Sequence, residues 1–113
     1  MGMTIANTKR DGNLCVAEVT VTSGGGNATT TEDVIGSLFQ IEVTNTDATS
    51  NAFTFTMEDT ANNMLLFSGT IDSDDILTFN AGSGAYCRGP LKVAHSGTAP
   101  SVPRTINIYY EKL

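Results

Sequence analysis

The chain has 113 residues, six Lys and Arg against twelve Asp and Glu, and a formal net charge of −6. Seventeen Thr, nine Asn, eight Ser and eleven Gly replace the Lys, Glu, Arg and Ala that helices favour. This excludes a coiled coil, a helix bundle and a transmembrane helix, and argues against a domain that grips nucleic-acid phosphates, which needs net positive charge.

The first residues, Met1 to Arg10, contain no apolar signal core, so the chain is expected to fold in the cytoplasm where it is made. Residues 1–13 show no clear hydrophobic pattern and read as an extended N-terminal arm ordered by a partner, ahead of a β-domain over 14–113. On that reading, deletion of residues 1–12 leaves the fold intact and weakens assembly.

Alternation then dominates. Cys15, Ala17, Val19 and Val21 share one face of a strand over 14–22, with Glu18, Thr20 and Thr22 on the other. The triple glycine Gly24–Gly26 ends it as a flexible hairpin or crossover; it lacks the Lys-Ser/Thr and helix of a phosphate loop. Glu32 to Leu38 reads as one short helical turn. Phe39, Ile41 and Val43 form the apolar face of a second strand, and Phe53, Phe55 and Met57 that of a third. Met64 to Ile71 is a more continuous apolar run of strand length, and Ile76 to Asn80 a shorter one. Leu91, Val93 and His95, then Ile106, Ile108 and Tyr110, complete the set. Turn residues separate these segments at 45–51, 58–63, 72–75, 80–84 and 96–103.

Seven or eight strands with one wet and one dry face each need mutual cover, and two stacked antiparallel sheets provide it. The expected fold is all-β: a single antiparallel β-sandwich, for which jelly-roll and immunoglobulin-like topologies both fit. The absence of Trp disfavours the antibody-type core.

Little chemistry is legible. His95 is the one histidine and sits on a strand, which points to a structural role. Cys15 and Cys87 read as buried free thiols, with a disulfide as the alternative. Nothing resembles a nucleophile elbow or a zinc ligand set, so no catalytic residue and no cofactor is expected. Asp72, Asp74 and Asp75 form the densest acidic cluster and are the candidate calcium ligands, although a solvated turn explains them as well and the EF-hand pattern is absent. Glu58 and Asp59 form a second acidic pair in a turn. No aromatic platform supports a sugar site beyond Tyr86, Tyr109 and Tyr110.

Charge is segregated along the chain. Between Asp11 and Cys87 there is no Lys or Arg, and that stretch holds eleven of the twelve carboxylates. Solubility alone accounts for an acidic body. A docking role for the basic ends is the alternative, with Lys9, Arg10, Arg88, Lys92 and Arg104 as the candidate contacts.

In character the chain resembles small β-sandwich structural proteins of tailed bacteriophages. The resemblance is carried by the Thr/Asn/Gly/Ser-rich alternating strands, the lysine-free acidic body and the closing segment Pro90–Gly97 through Thr105-Ile106-Asn107-Ile108-Tyr109-Tyr110-Glu111. It implies a non-enzymatic virion component, a head decoration or cement protein that binds the major capsid protein or another virion protein, commonly as a trimer, with no nucleic-acid or membrane partner. A carbohydrate- or calcium-binding, adhesin-like sandwich module is the alternative function.

Overall fold

The computed structural model describes residues 3–22, 24–44, 52–71, 76–78, 85–97 and 103–112. Eight strands account for nearly all of them: β1 (Met3–Asp11), β2 (Leu14–Val21), β3 (Gly25–Thr44), β4 (Phe53–Asp59), β5 (Met64–Ile71), β6 (Ile76–Thr78), β7 (Ala85–Gly97) and β8 (Arg104–Lys112). Among the described residues there is no helix. The chain is all-β, as its alternation requires. The strands form one antiparallel sheet in the order β1-β2-β8-β3-β7-β4-β5, with β6 on β3.

β3 organises this sheet. Over Gly25–Leu38 it pairs with β7, and over Gly36–Thr44 it pairs with β8, while Gln40–Glu42 also pairs with β6. One wing therefore runs β2-β8-β3-β6 and the other β3-β7-β4-β5.

The sheet folds over on itself. β8 and β4 are three places apart in strand order, which in a flat sheet is about 14 Å at the usual strand spacing. Yet the guanidinium carbon of Arg104 on β8 lies 4.3 Å from the Phe53 ring centroid on β4. The inward side chains of both wings meet in one cluster, including Ala17 and Val19 of β2, Leu38 and Ile41 of β3, Phe53 and Phe55 of β4, Leu91 and Val93 of β7, and Ile106 and Ile108 of β8. Burying each large apolar group contributes about 1.5–3 kcal/mol before chain entropy is subtracted.

Four expectations change. The N-terminal arm is a strand: Met3 stands opposite Val21, Ile5 opposite Val19 and Asp11 opposite Leu14. Gly12-Asn13 is a two-residue hairpin signal, and Gly12 at φ +56° takes the left-handed first position of the turn that joins β1 to β2. Residues 32–38 are strand rather than a helical turn, because Val34, Gly36 and Leu38 face inward while Ile35 and Ser37 face out with a period of two. Phe39 lies outside the core. The register shifts between Leu38 and Gln40, so Leu38 and Ile41 both point inward and the intervening Phe39 is turned to the surface beside Tyr109. Finally, Gly25 and Gly26 belong to β3 and pair with Ser96 and His95 rather than forming a loop.

Gly36 marks the closest approach within the sheet. It faces Cys87 on one side and Lys112 on the other, and a Cβ there would overlap the Glu111 carbonyl oxygen.

Because β1 covers the edge of β2 and buries Met3, removal of residues 1–12 is expected to lower the melting temperature by at least about 5 °C. An unchanged melting curve would show that β1 contributes nothing to the folded unit.

Candidate functional site

The residues with chemical potential divide into two buried polar clusters and a scattered exposed set. The first cluster closes one end of the core. His95 on β7 is 2% exposed and Arg104 on β8 is fully buried. His95 Nδ1 lies 3.0 Å from the Gly24 carbonyl oxygen, and its Nε2 lies 2.6 Å from Arg104 Nη1. A carbonyl only accepts and a guanidinium only donates, so the imidazole is neutral: Nδ1–H donates to Gly24 and Nε2 accepts from Arg104. Phe53 stacks on the imidazole at 4.7 Å and lies beneath the guanidinium. Burial, then the neighbouring Arg104 charge, lower the His95 pKa below its ordinary value, against the opposing pull of the Gly24 carbonyl. The ring is committed to holding β7 against β8 and β4, in keeping with the structural role expected for it.

The second cluster repairs a break in the sheet. Pro90 interrupts β7 and has no N–H to give, and the β3–β7 register shifts between Thr29 and Asp33. Side chains satisfy the backbone around it. The Leu91 N–H donates to Thr30 Oγ1 at 2.9 Å, while the Thr30 hydroxyl donates to the Glu32 carbonyl. The Arg88 N–H donates to Asp59 Oδ2 at 2.9 Å. The Thr60 N–H and hydroxyl both donate to the Pro90 carbonyl.

Asp59 also accepts from the N–H and side-chain amide of Asn62, which fixes the turn into β5, where Asn63 is left-handed at φ +54°. Asp59 is 1% exposed, so it is no solvated turn residue. Burial acts to raise its pKa, but the hydrogen bonds from Arg88 and Asn62 outweigh burial and hold it below the ordinary value of 3.8. Gly89 lets this turn dock: a Cβ there would sit 2.6 Å from the Ala61 Cβ and 2.8 Å from Asp59 Oδ1.

Both thiols are free and buried. Cys87 donates to the Gly89 carbonyl at 3.3 Å, and burial pushes its thiol pKa up, away from the reactive thiolate.

The expected docking residues separate. Arg104 is not a docking group: it is packed inside the core end. Lys9 and Arg10 lie on β1, Arg88 is exposed on β7, and Lys92 is half-buried opposite Glu58 of β4. The registers bring Lys9, Lys112 and Arg88 to neighbouring rows at one end of the sheet, although they are far apart in sequence. Asp72, Asp74 and Asp75 lie outside the described residues. Among the described residues, no three His, Cys, Asp or Glu are placed to hold a metal ion, and no helix is long and apolar enough to cross a membrane.

No protein-family model matches the chain, and no curated protein does. Solved structures do. A cysteine peptidase, peruvianin-I, from Thevetia peruviana latex superposes with a TM-score of 0.53 at 9% identity, covering 98% of this chain and 62% of that one. Procruciferin, an 11S globulin from Brassica napus, matches at a TM-score of 0.38 and 12% identity, over 88% of this chain and 21% of its own. Iron(II) HppE matches at 0.37 and 8%, over 94% of this chain and 55% of its own in the substrate complex. This chain thus spans less than two-thirds of each. The first likeness is one of fold.

Two outcomes follow from the buried clusters. His95 binds its proton more weakly folded than unfolded, so its contribution to stability is complete above pH 6.5 and declines as pH falls from 6.5 toward the folded value. Denaturant titrations of His95→Gln should lack that decline; an identical slope in both proteins would contradict the buried neutral imidazole. Asp59→Ala should cost about 1–3 kcal/mol by stranding the Arg88 and Asn62 donors. It should also remove the part of the acid destabilisation that sets in below pH 3.8.

Proposed function

We propose that this protein is a non-enzymatic structural component of a bacteriophage virion, a decoration or cement protein that docks on the head shell as a homo-oligomer. The observation that carries this reading is the division of labour among its side chains. His95, Arg104, Asp59, Cys15 and Cys87 are buried and serve the fold, so chemistry is invested in rigidity. Large apolar groups are left outside: Leu14, Ile35, Phe39, Met64 and Leu65. A protein that works by contact needs this arrangement, because a surface that binds must lose water while the body behind it stays fixed.

The sequence resemblance supplies the partner class, and the charge distribution supplies a mode of approach. Exposed Arg88 and half-buried Lys92 extend from a chain of net charge −6, and they would seek acidic neighbours on the shell while the acidic remainder faces solvent. Capture at the shell is expected to depend on ionic strength.

Sedimentation of the purified protein with heads of the phage whose genome carries it tests the proposal. Saturable co-sedimentation at a fixed number of copies per head is expected, with affinity falling several-fold in Arg88→Glu/Lys92→Glu. Protein that remains in the supernatant at every head concentration would overturn the reading.

A further inference from the structure

The two ends of the main strand path differ in a way that bears on self-association, the three-residue β6 being a further short edge on β3. β1 carries Lys9, Arg10 and Asp11 in one run, the kind of charge that keeps an edge from pairing with a neighbour. β5, Met64–Ile71, ends the other side of the sheet and pairs with β4. Its sequence, MLLFSGTI, holds no charge and no proline over eight residues. Met64 is 52% and Leu65 65% exposed. Among the described residues, no strand covers its outer edge.

We infer that β5 is the self-association edge, and that a second copy adds its own β5 antiparallel across a twofold axis to continue the sheet from one protomer into the next. Three features favour a second copy over an unrelated strand. The chain is strongly acidic overall, so most ways of bringing two copies together oppose like charges; β5 is a stretch of eight residues where they do not. An antiparallel strand is its own complement, so one patch serves both partners. The full-overlap register also matches faces.

With Leu66 skipped as it is against β4, that register brings Met64 to Ile71, Leu65 to Thr70, Phe67 to Gly69 and Ser68 to Ser68 of the second copy. Leu65 and Thr70 stand opposite Glu58 and Thr54 of β4, on the face away from Phe53, Phe55 and Met57. They therefore share one face when brought together. Leu66, the residue left over at the register shift beside Met57 and Glu58, is left over in this pairing too, and Phe67 meets a glycine, which leaves room for its ring. The overlap spans about 27 Å. Its affinity comes from backbone hydrogen bonds with modest apolar burial, so the dimer dissociates on dilution rather than being obligate.

Light scattering across a dilution series tests this on the full chain. The expected result is a shift toward twice the 11.9 kDa chain mass as concentration rises. Leu65→Lys/Thr70→Lys, changed at two exposed positions, should stay monomeric with an unaltered melting curve. Leu65→Cys/Thr70→Cys should form interchain disulfides under mild oxidation, because opposed strand residues lie within disulfide reach.

A wild-type monomer at every concentration, a trimer, or a dimer unaffected by Leu65→Lys/Thr70→Lys would overturn the inference. A monomer that loses head binding through those same substitutions would instead assign the edge to a shell partner. The outcome is separable from the virion reading: a dimer that ignores phage heads removes the proposed function and leaves the β5 pairing standing.

Discussion

Everything in this molecule depends on one strand having different partners along its length. β3 is twenty residues long, and its two halves serve different wings. A strand that pairs with β7 along its first half and with β8 along its second ties the wings together covalently. Once the sheet folds over, each wing supplies the dry surface that the other needs. The local devices on β3 serve that dual role. Gly36 permits the tight passage between Cys87 and Lys112, and the irregularity at Phe39 shifts the inward series so that Leu38 and Ile41 can both reach the core.

A folded-over sheet has open ends, and the polar clusters close them. At one end Arg104, His95 and Phe53 join β8, β7 and β4 through a charge-assisted hydrogen bond and a stacked face. A buried guanidinium is costly to desolvate. It is held here by an imidazole whose tautomer is set by the Gly24 carbonyl and by an aromatic face. At the opposite end of β7, Asp59 and Thr30 hydrogen-bond backbone N–H groups beside Pro90. His95 spends both ring nitrogens on Gly24 and Arg104, and Asp59 and Thr30 spend their oxygens on backbone groups and on Asn62. The exposed surface of the described residues, by contrast, mixes threonine, asparagine, glycine, serine and carboxylates, broken by large apolar groups at Leu14, Ile35, Phe39, Met64 and Leu65.

The sequence was legible wherever alternation decides burial. Cys15 to Val21, Phe53 to Met57, Leu91 to His95 and Ile106 to Tyr110 all lie with the expected face inward. It misled wherever a single residue shifts the register, because a one-residue bulge reverses every later inference about faces. Phe39 was displaced from the core in this way. β1 was hidden because Asn7 and the charges at its end dilute the pattern set by Met3 and Ile5; the Gly12-Asn13 turn was the available signal. The buried clusters were illegible for another reason. Arg104 is separated by more than fifty positions from Phe53, and Asp59 by 29 from Arg88, so only the fold brings them together. Arg104 consequently looked like a surface cation, and Asp59 like part of a wet turn.

The contact between Arg104 and Phe53 is where the folded-over sheet, the closed core end and the neutral imidazole meet, and nuclear magnetic resonance reads it directly. In the labelled protein, the Arg104 side-chain protons should shift upfield under the Phe53 ring and show cross-peaks to it, and the His95 Nδ1 should carry the proton near neutral pH. Arg104 resonances at solvent-exposed positions, with no cross-peak to Phe53, would contradict a sheet that closes on itself and the structural role assigned to its buried charges.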